Sequence, residues 1–360
     1  MAELVEPTGV AVHDALPDWP GPEAQSEWYG SVEAEQAMRS AYLGGHLHHA
    51  WLITGLKGIG KATLAFRFAR FVLANPDPSA VDAEPSTMAV PRESRVARSI
   101  AAGAHPNLLV LRRPWDDQTK RFRTALTVDE VRRIRSFFGS TAGGAGHRVC
   151  IVDTADDLNI SAANALLKML EEPPDNGLFL LVANQPGQLL PTIRSRCRRL
   201  DLKPLTVEAI QAALRSRGGN DAAEIGLAAA LAGGSLRRAI QFLDSDGAET
   251  YRAFANIVSR LPEVDYTAVH ELADMVAVRG RDDAYEAFLE MVDDWLSRRV
   301  RRKPEPVGSL SAAVEAASLA SWAGVWEKVR ESALQAQTLN LDRKQVILQV
   351  FMALADATRM

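Results

Sequence analysis

The sequence predicts an α/β domain built on a parallel sheet, followed by a region that is helical throughout. Three observations predict it. Short apolar runs alternate with helix-length segments as far as about residue 200. A glycine-rich loop ending in lysine stands between one such run and a helix-forming segment. Beyond Pro204 the strand signals stop, and alanine-rich helical spacing takes over.

Residues 1–28 are rich in Pro, Gly, Glu and Ala without periodicity and read as a flexible tail, with order expected from about Trp28 and Tyr29. Helical spacing runs from Val32 to Leu43 and stops at Gly44-Gly45. Ala50 to Thr54 is a buried-strand run, and a helix is expected from Lys61 to Asn75. The prolines and small polar residues of Pro76 to Glu93 mark a loop or insertion. Asn107 to Leu111 is a second strand. Thr127 and Glu130 have capping-box spacing for a helix from Val128 to Phe138. Two further strands, Arg148 to Asp153 and Leu178 to Ala183, flank a helix from Ser161 to Glu172 that Pro173-Pro174 ends. Thr206 is placed as the N-cap of a helix through Arg217, and helices are expected from Asp221 to Met360. The expected domains are therefore 29–203, 204–247 and 248–360.

With 360 residues, 47% hydrophobic and 24% charged, the chain has the composition of a soluble globular protein of two or three domains. No apolar run approaches a membrane span, and the N-terminal residues lack the order of a signal peptide, so no membrane partner and a cytoplasmic setting are expected. Cys150 and Cys197, the two cysteines, cannot make a disulfide framework or a closed thiolate zinc site, and no metal site is assigned. A net charge of −4 excludes a protein that coats nucleic acid by itself.

The loop GLKGIGKAT, Gly55 to Thr63, fits G-x-x-x-x-G-K-[ST] apart from its last position. Glycines let backbone N–H groups converge on phosphate oxygens, the helix N-terminus favours negative charge, and lysine reaches the terminal phosphates. Gly55, Gly58, Gly60, Lys61 and Thr63 are thus candidate nucleotide contacts; the bland alternative is a glycine turn without a ligand. Ala62 replaces the hydroxyl residue that holds Mg²⁺, and Thr63, one residue on, is rotated by about 100° on the helix. VCIVDTADDL, from Val149 to Leu158, reads as a Walker B strand ending in Asp153. Thr154 follows where an active enzyme carries a glutamate that activates water, and a hydroxyl cannot replace that base. Asp156 and Asp157 read as a solvated loop start. Arg196 lies in Ser195-Arg196-Cys197, a segment that elsewhere would be an ordinary basic surface loop.

NALLKMLEEPP (Asn164 to Pro174), LFLLVAN ending at Asn184, and SRC together resemble the central run of AAA+ clamp-loader subunits of bacterial DNA polymerase III. The resemblance covers about Tyr29 to Leu243 by motif. It implies an AAA+ P-loop module, a small helical lid and an all-α collar domain. It implies that Arg196 acts in trans at the ATP site of an adjacent subunit, that Asn184 is a sensor-1 residue, and that Arg237 of the Gly233 to Arg237 segment is a sensor-2 residue. Loss of the Ala62 and Thr154 functions with SRC retained resembles the delta-prime type rather than the gamma/tau motor. ATP or ADP would then be held without hydrolysis. The implied partners are gamma/tau and delta, the polymerase III holoenzyme (the nucleotidyltransferase assembly), and, through the complex, the sliding clamp and primed DNA. His105-Pro106 sits where relatives carry G-x-H-P after a zinc module, but residues 76–99 lack its cysteines, so zinc is not expected.

Two other readings compete: an autonomous ATPase of the gamma/tau kind with degenerate motifs, and a small-molecule P-loop kinase. The kinase reading must explain a long helical C-terminal region and the lack of an acceptor-binding constellation. Arg298, Arg299, Arg301, Arg302 and Lys303 could face a partner but read as a solvated helix end. His46, His48 and His49 read as a turn near the nucleotide pocket.

Overall fold

The structure, a computed structural model, describes residues 15–359 apart from 17, 83, 85, 120, 140–145, 279–281, 304, 306–309 and 340–341, and omits the side chains of 282–283 and 333–339. Residues 1–14 of the tail expected at 1–28, and the C-terminal Met360, lie outside the described residues. The chain divides into two compact units, Ala2–Ala209 and Ile210–Met360. Residues 210–247 of the expected lid and the expected collar segment fall in the second, and 204–209 in the first.

In the α/β unit, α1 (Val32–Leu43) leads to β1 (Ala50–Thr54), α2 (Lys61–Ala74), α3 (Arg95–Ala101) and β2 (Leu108–Leu111). A short hairpin, β3 (Trp115–Asp116) and β4 (Arg121–Phe122), precedes α4 (Val128–Gly139), β5 (Arg148–Asp153), α5 (Ile160–Glu171) and β6 (Gly177–Ala183). The short helix α6 (Pro191–Ser195) and β7 (Arg198–Asp201) complete it. The sheet order is β2-β5-β6-β1-β7, and every pair in it is parallel. β1 and β6 are buried along their whole length, which is why they read as unbroken apolar runs rather than alternating ones. Each sheet face has its own core, with Phe66, Phe68 and Phe71 of α2 on one side and Leu166 and Leu170 of α5 on the other.

Three expectations change. Order begins before Trp28: Glu23 pairs with Arg112 at 3.0 Å, Ser26 O accepts from Arg67 at 2.8 Å, and Gln25 O accepts from Arg70. Two buried arginines on α2 need acceptors, and the preceding segment supplies them. Glu130 bonds forward to Arg133 at 2.7 Å rather than completing a capping box. The histidines lie at the start of β1, across the sheet from the loop that leaves its end, where His49 meets Leu170 O at 3.1 Å. Five strand residues, about 3.3 Å each, separate them from that loop.

The helical unit takes in most of α7 (Val207–Arg217), then α8 (Ala222–Leu231), α9 (Leu236–Asp244), α10 (Gly247–Val258) and α11 (Tyr266–Val276). It ends with α12 (Asp282–Val300), α13 (Ala312–Ala316), α14 (Leu319–Leu339) and α15 (Arg343–Arg359). The expected cap is present, since Thr206 Oγ1 accepts from Ala209 N at 3.2 Å. Phe254, Phe288, Trp295, Trp322 and Phe351 centre its core, with Trp295 edge-on to Trp322 at 5.4 Å. Arg298 and Arg299 are not a solvated end. Both are half-buried and pair with Glu305, at 3.6 and 3.0 Å, and Tyr251 Oη donates to that carboxylate at 3.0 Å.

Candidate functional site

Parallel pairing puts the ends of β1, β5 and β6 along one edge of the sheet, because Thr54 is registered with Ala183 and Asp153 with Val182. The loops that leave these ends meet there, as in other open α/β sheets that bind ligands at their carboxyl edge. Gly55 has φ +143°, and a Cβ on it would come within 2.7 Å of Leu202 O, so the turn out of β1 requires glycine. Gly58 and Gly60 are also left-handed, and Gly60 is the N-cap of α2. Thr63 falls in the first turn of that helix.

Lys61 begins α2 and is buried. Its Nζ donates to Gly55 O at 2.8 Å and Leu56 O at 2.6 Å, so the ammonium folds back onto its own loop. Burial pushes its pKa down to about 8, against the pull of the Asp156 and Asp153 carboxylates.

The register of β2 with β5, Leu111 beside Val152, brings Arg112 alongside Asp153. Arg112 Nε lies 3.4 Å from Asp153 Oδ2, while its Nη2 is 3.0 Å from Glu23 and its guanidinium sits 5.3 Å from the Phe66 ring centre. Thr154 Oγ1 donates to Asp157 Oδ2 at 2.9 Å, and Arg113 Nε is 3.6 Å from that carboxylate oxygen. Asp156 is no mere solvated loop start either: its carboxylate accepts from Asn184 N at 2.5 Å and Gln185 N at 3.2 Å, tying the end of β5 to that of β6. This donor set does not fit Mg²⁺. Ala62 offers no oxygen, the Thr154 hydroxyl is engaged with Asp157, and the Asp153 carboxylate faces a guanidinium.

Arg196 caps the C-terminus of α6 and is half-exposed. Its guanidinium reaches Glu171 of α5 at 2.8 Å and Thr192 O at 3.0 Å. Such an exposed pair contributes little and gives way to a stronger partner. Nearby, Arg199 pairs with Asp201 at 2.6 Å and Arg198 stacks 4.7 Å over Trp51.

The α/β unit thus assembles Gly55, Gly58, Gly60, Lys61, Thr63, Asp153 and Asn184 at one edge. Arg237 lies in α9 of the helical unit, half-buried behind the left-handed Gly233 and Gly234. Reading the sequence alone missed Glu23, Arg112 and Arg113. Adjacent arginines directly after the expected strand from Asn107 to Leu111 were the available signal. Cys150 is buried in β5 and burial pushes its thiol up to about 12; Cys197 is pushed equally high. Among the described residues no three His, Cys, Asp or Glu side chains gather as a metal site.

Fold and loop together define an AAA+-type P-loop module followed by a helical unit. Residues 30–206 match the family described as DNA polymerase III, delta subunit. DNA polymerase III subunit delta' of Pseudomonas aeruginosa is 37% identical over 164 residues, 45% of this chain and 46% of the relative. Its Escherichia coli counterpart is 31% identical over 216 residues, 56% of this chain and 60% of the relative. DNA polymerase III subunit tau of Bacillus subtilis is 31% identical over 189 residues, 52% and 31% of the two chains. The chain therefore spans about half the length of the curated delta' relatives it matches.

Proposed function

We propose that the chain is a delta-prime-type clamp-loader subunit that completes a neighbour's ATP site with Arg196 and does not hydrolyse ATP itself. It would work in the cytoplasm beside delta and gamma/tau, within the polymerase III holoenzyme, in loading the sliding clamp on primed DNA. Its helical unit would join the collar of the assembly. ATP or ADP would be held without turnover by Gly55, Gly58, Gly60, Lys61, Thr63, Asn184 and Arg237. To reach phosphate, Lys61 has to leave the carbonyls of Gly55 and Leu56.

The observation that carries this reading is the contrast between two positions. Arg196 presents a guanidinium at the surface, held by an exposed glutamate, while the chain's own hydrolytic positions are Ala62 and Thr154. A fixed positive charge supplied in trans to a phosphoryl-transfer site stabilises the charge that develops there. The match to a tau subunit favours a second reading, a gamma/tau-like motor with degenerate motifs. Steady-state hydrolysis by the purified chain separates the two. The proposal expects no turnover above that of a Lys61→Ala variant; turnover near one per second that vanishes in the variant would establish the motor. Reconstitution with delta and gamma/tau is the companion assay, and a chain that forms no complex would end the clamp-loader reading.

A further inference from the structure

We infer that Arg112 is a resident counter-cation that keeps divalent metal out of the phosphate-loop site, so that any polyphosphate accepted there enters without Mg²⁺. The residue is placed by the fold itself: β2 runs parallel to β5, and the residue after Leu111 arrives beside the residue after Val152, which is Asp153. One guanidinium then spans two carboxylates, Glu23 at 3.0 Å and Asp153 at 3.4 Å, with all three side chains less than one-fifth exposed. Phe66 lies 5.3 Å from its charge centre. A guanidinium does not lose its proton in a protein, so this positive charge is permanent.

Mg²⁺ asks for near-octahedral oxygen ligands at short range and gives up its waters reluctantly. Here it would have to displace Arg112 from both carboxylates to reach Asp153. It would gain nothing in return from Ala62, and the Thr154 hydroxyl is turned to Asp157. The same layout repeats one step along, where Arg113 faces Asp157 at 3.6 Å. Two successive arginines thus face Asp153, which precedes Thr154, and Asp157, which accepts from the Thr154 hydroxyl. Glu23 comes from the segment before α1 and pairs with Arg112 through Nη2. The site is shared with the non-hydrolysing reading above, but the inference concerns metal alone and is read on the isolated full chain. Its failure would leave the roles of Arg196 and Lys61 untouched, and their failure would leave it untouched.

Mn²⁺, followed by its electron paramagnetic resonance signal, is the probe. The wild-type chain is expected to show no stoichiometric Mn²⁺ uptake at millimolar metal. R112M takes the guanidinium away from the Glu23 and Asp153 carboxylates, and should gain one Mn²⁺ with an affinity about tenfold or more above wild type, since two carboxylates without that shared cation attract a dication. Adding Asp153→Asn to that variant should abolish the gain, and Arg112→Lys, which keeps the charge, should show none. Circular dichroism and reversible melting establish that each variant is folded; Arg112→Gln replaces R112M should the latter not fold. Wild-type uptake of one Mn²⁺ that Asp153→Asn abolishes would overturn the inference. So would a folded Arg112 variant, neutral at that position, that gains no Mn²⁺.

Discussion

Lys61 Nζ lies 2.8 Å from the carbonyl oxygen of Gly55, so the residue expected to reach for phosphate instead closes its own loop. That geometry has a measurable cost. A buried ammonium with a pKa near 8, against an ordinary 10.5, gives up its proton more readily in the folded chain than in the unfolded one. Between about pH 8 and 10.5 the unfolded chain binds more protons at this position, so stability rises with pH in that window. Below it the cost is constant, at most about 3 kcal/mol from the size of the shift. Lys61→Met should remove this dependence. The wild-type minus variant difference in denaturant stability is expected to move in favour of wild type as pH rises from 8 to 10.5. A difference that stays flat with pH would refute the placement of the ammonium.

Glu35 and Arg67 form a buried pair at 2.7 Å that joins α1 to α2, with the same carboxylate accepting from Met88 N at 2.7 Å. Removing one partner leaves the other charge buried, so Glu35→Ala should destabilise the chain by about 3–5 kcal/mol. Arg67→Met in the Glu35→Ala background should recover part of that loss. Full recovery is not expected, because Arg67 also serves Ser26 O and Thr87 Oγ1, each at 2.8 Å. Denaturant titration checks this, and additive single and double variants would show that the pair is not coupled.

Glu305 makes the corresponding prediction for the helical unit. Its carboxylate receives Arg298, Arg299 and the Tyr251 hydroxyl, and burial together with that carboxylate pushes the phenol of Tyr251 well above its usual range. Glu305→Ala is expected to cost about 3–5 kcal/mol, as the two arginines lose the charge they pair with. A variant that unfolds like wild type would instead support the solvated helix end that the sequence suggested.

The cysteines bear on zinc. Metal and alkylating reagents both require thiolate, and thiols pushed up to about 12 supply almost none at neutral pH. The native chain is expected to carry no stoichiometric zinc and to react with iodoacetamide slowly, with Cys150 labelled after unfolding. One zinc per chain by elemental analysis, or rapid native labelling of Cys150, would contradict this.

How much was legible depended on whether burial was two-sided or local. β1, β5 and β6 are covered on both faces, and their unbroken apolar runs announced them. β7 did not, because an exposed edge strand reading Arg-Arg-Leu-Asp carries charge on its open side and takes its order from pairing with β1. The caps at Gly44 and Thr206 are local and were read directly. Arg112 was not assigned, since its partners lie 89 and 41 residues away, Asp153 brought beside it by sheet register and Glu23 by the segment before α1. Asp156 was misjudged for the same reason: the backbone groups it caps belong to the next strand's end.

Arg196 tests the central claim most directly. Arg196→Ala should fold and assemble, because the side chain is half-exposed and its polar contacts are an exposed glutamate, the Thr192 carbonyl and the neighbouring Ser195 hydroxyl. In the loader reconstituted with delta and gamma/tau, ATP turnover at the site it completes should fall by about 10³–10⁵-fold, the span for an arginine donated to phosphoryl transfer. Clamp loading onto primed DNA should fall with it. Lysine should rescue poorly, since a point charge lacks the planar fork. Alanine at Arg194, Arg198 or Arg199 should change turnover little. An Arg196→Ala loader that assembles normally and keeps full DNA- and clamp-stimulated turnover would contradict the account.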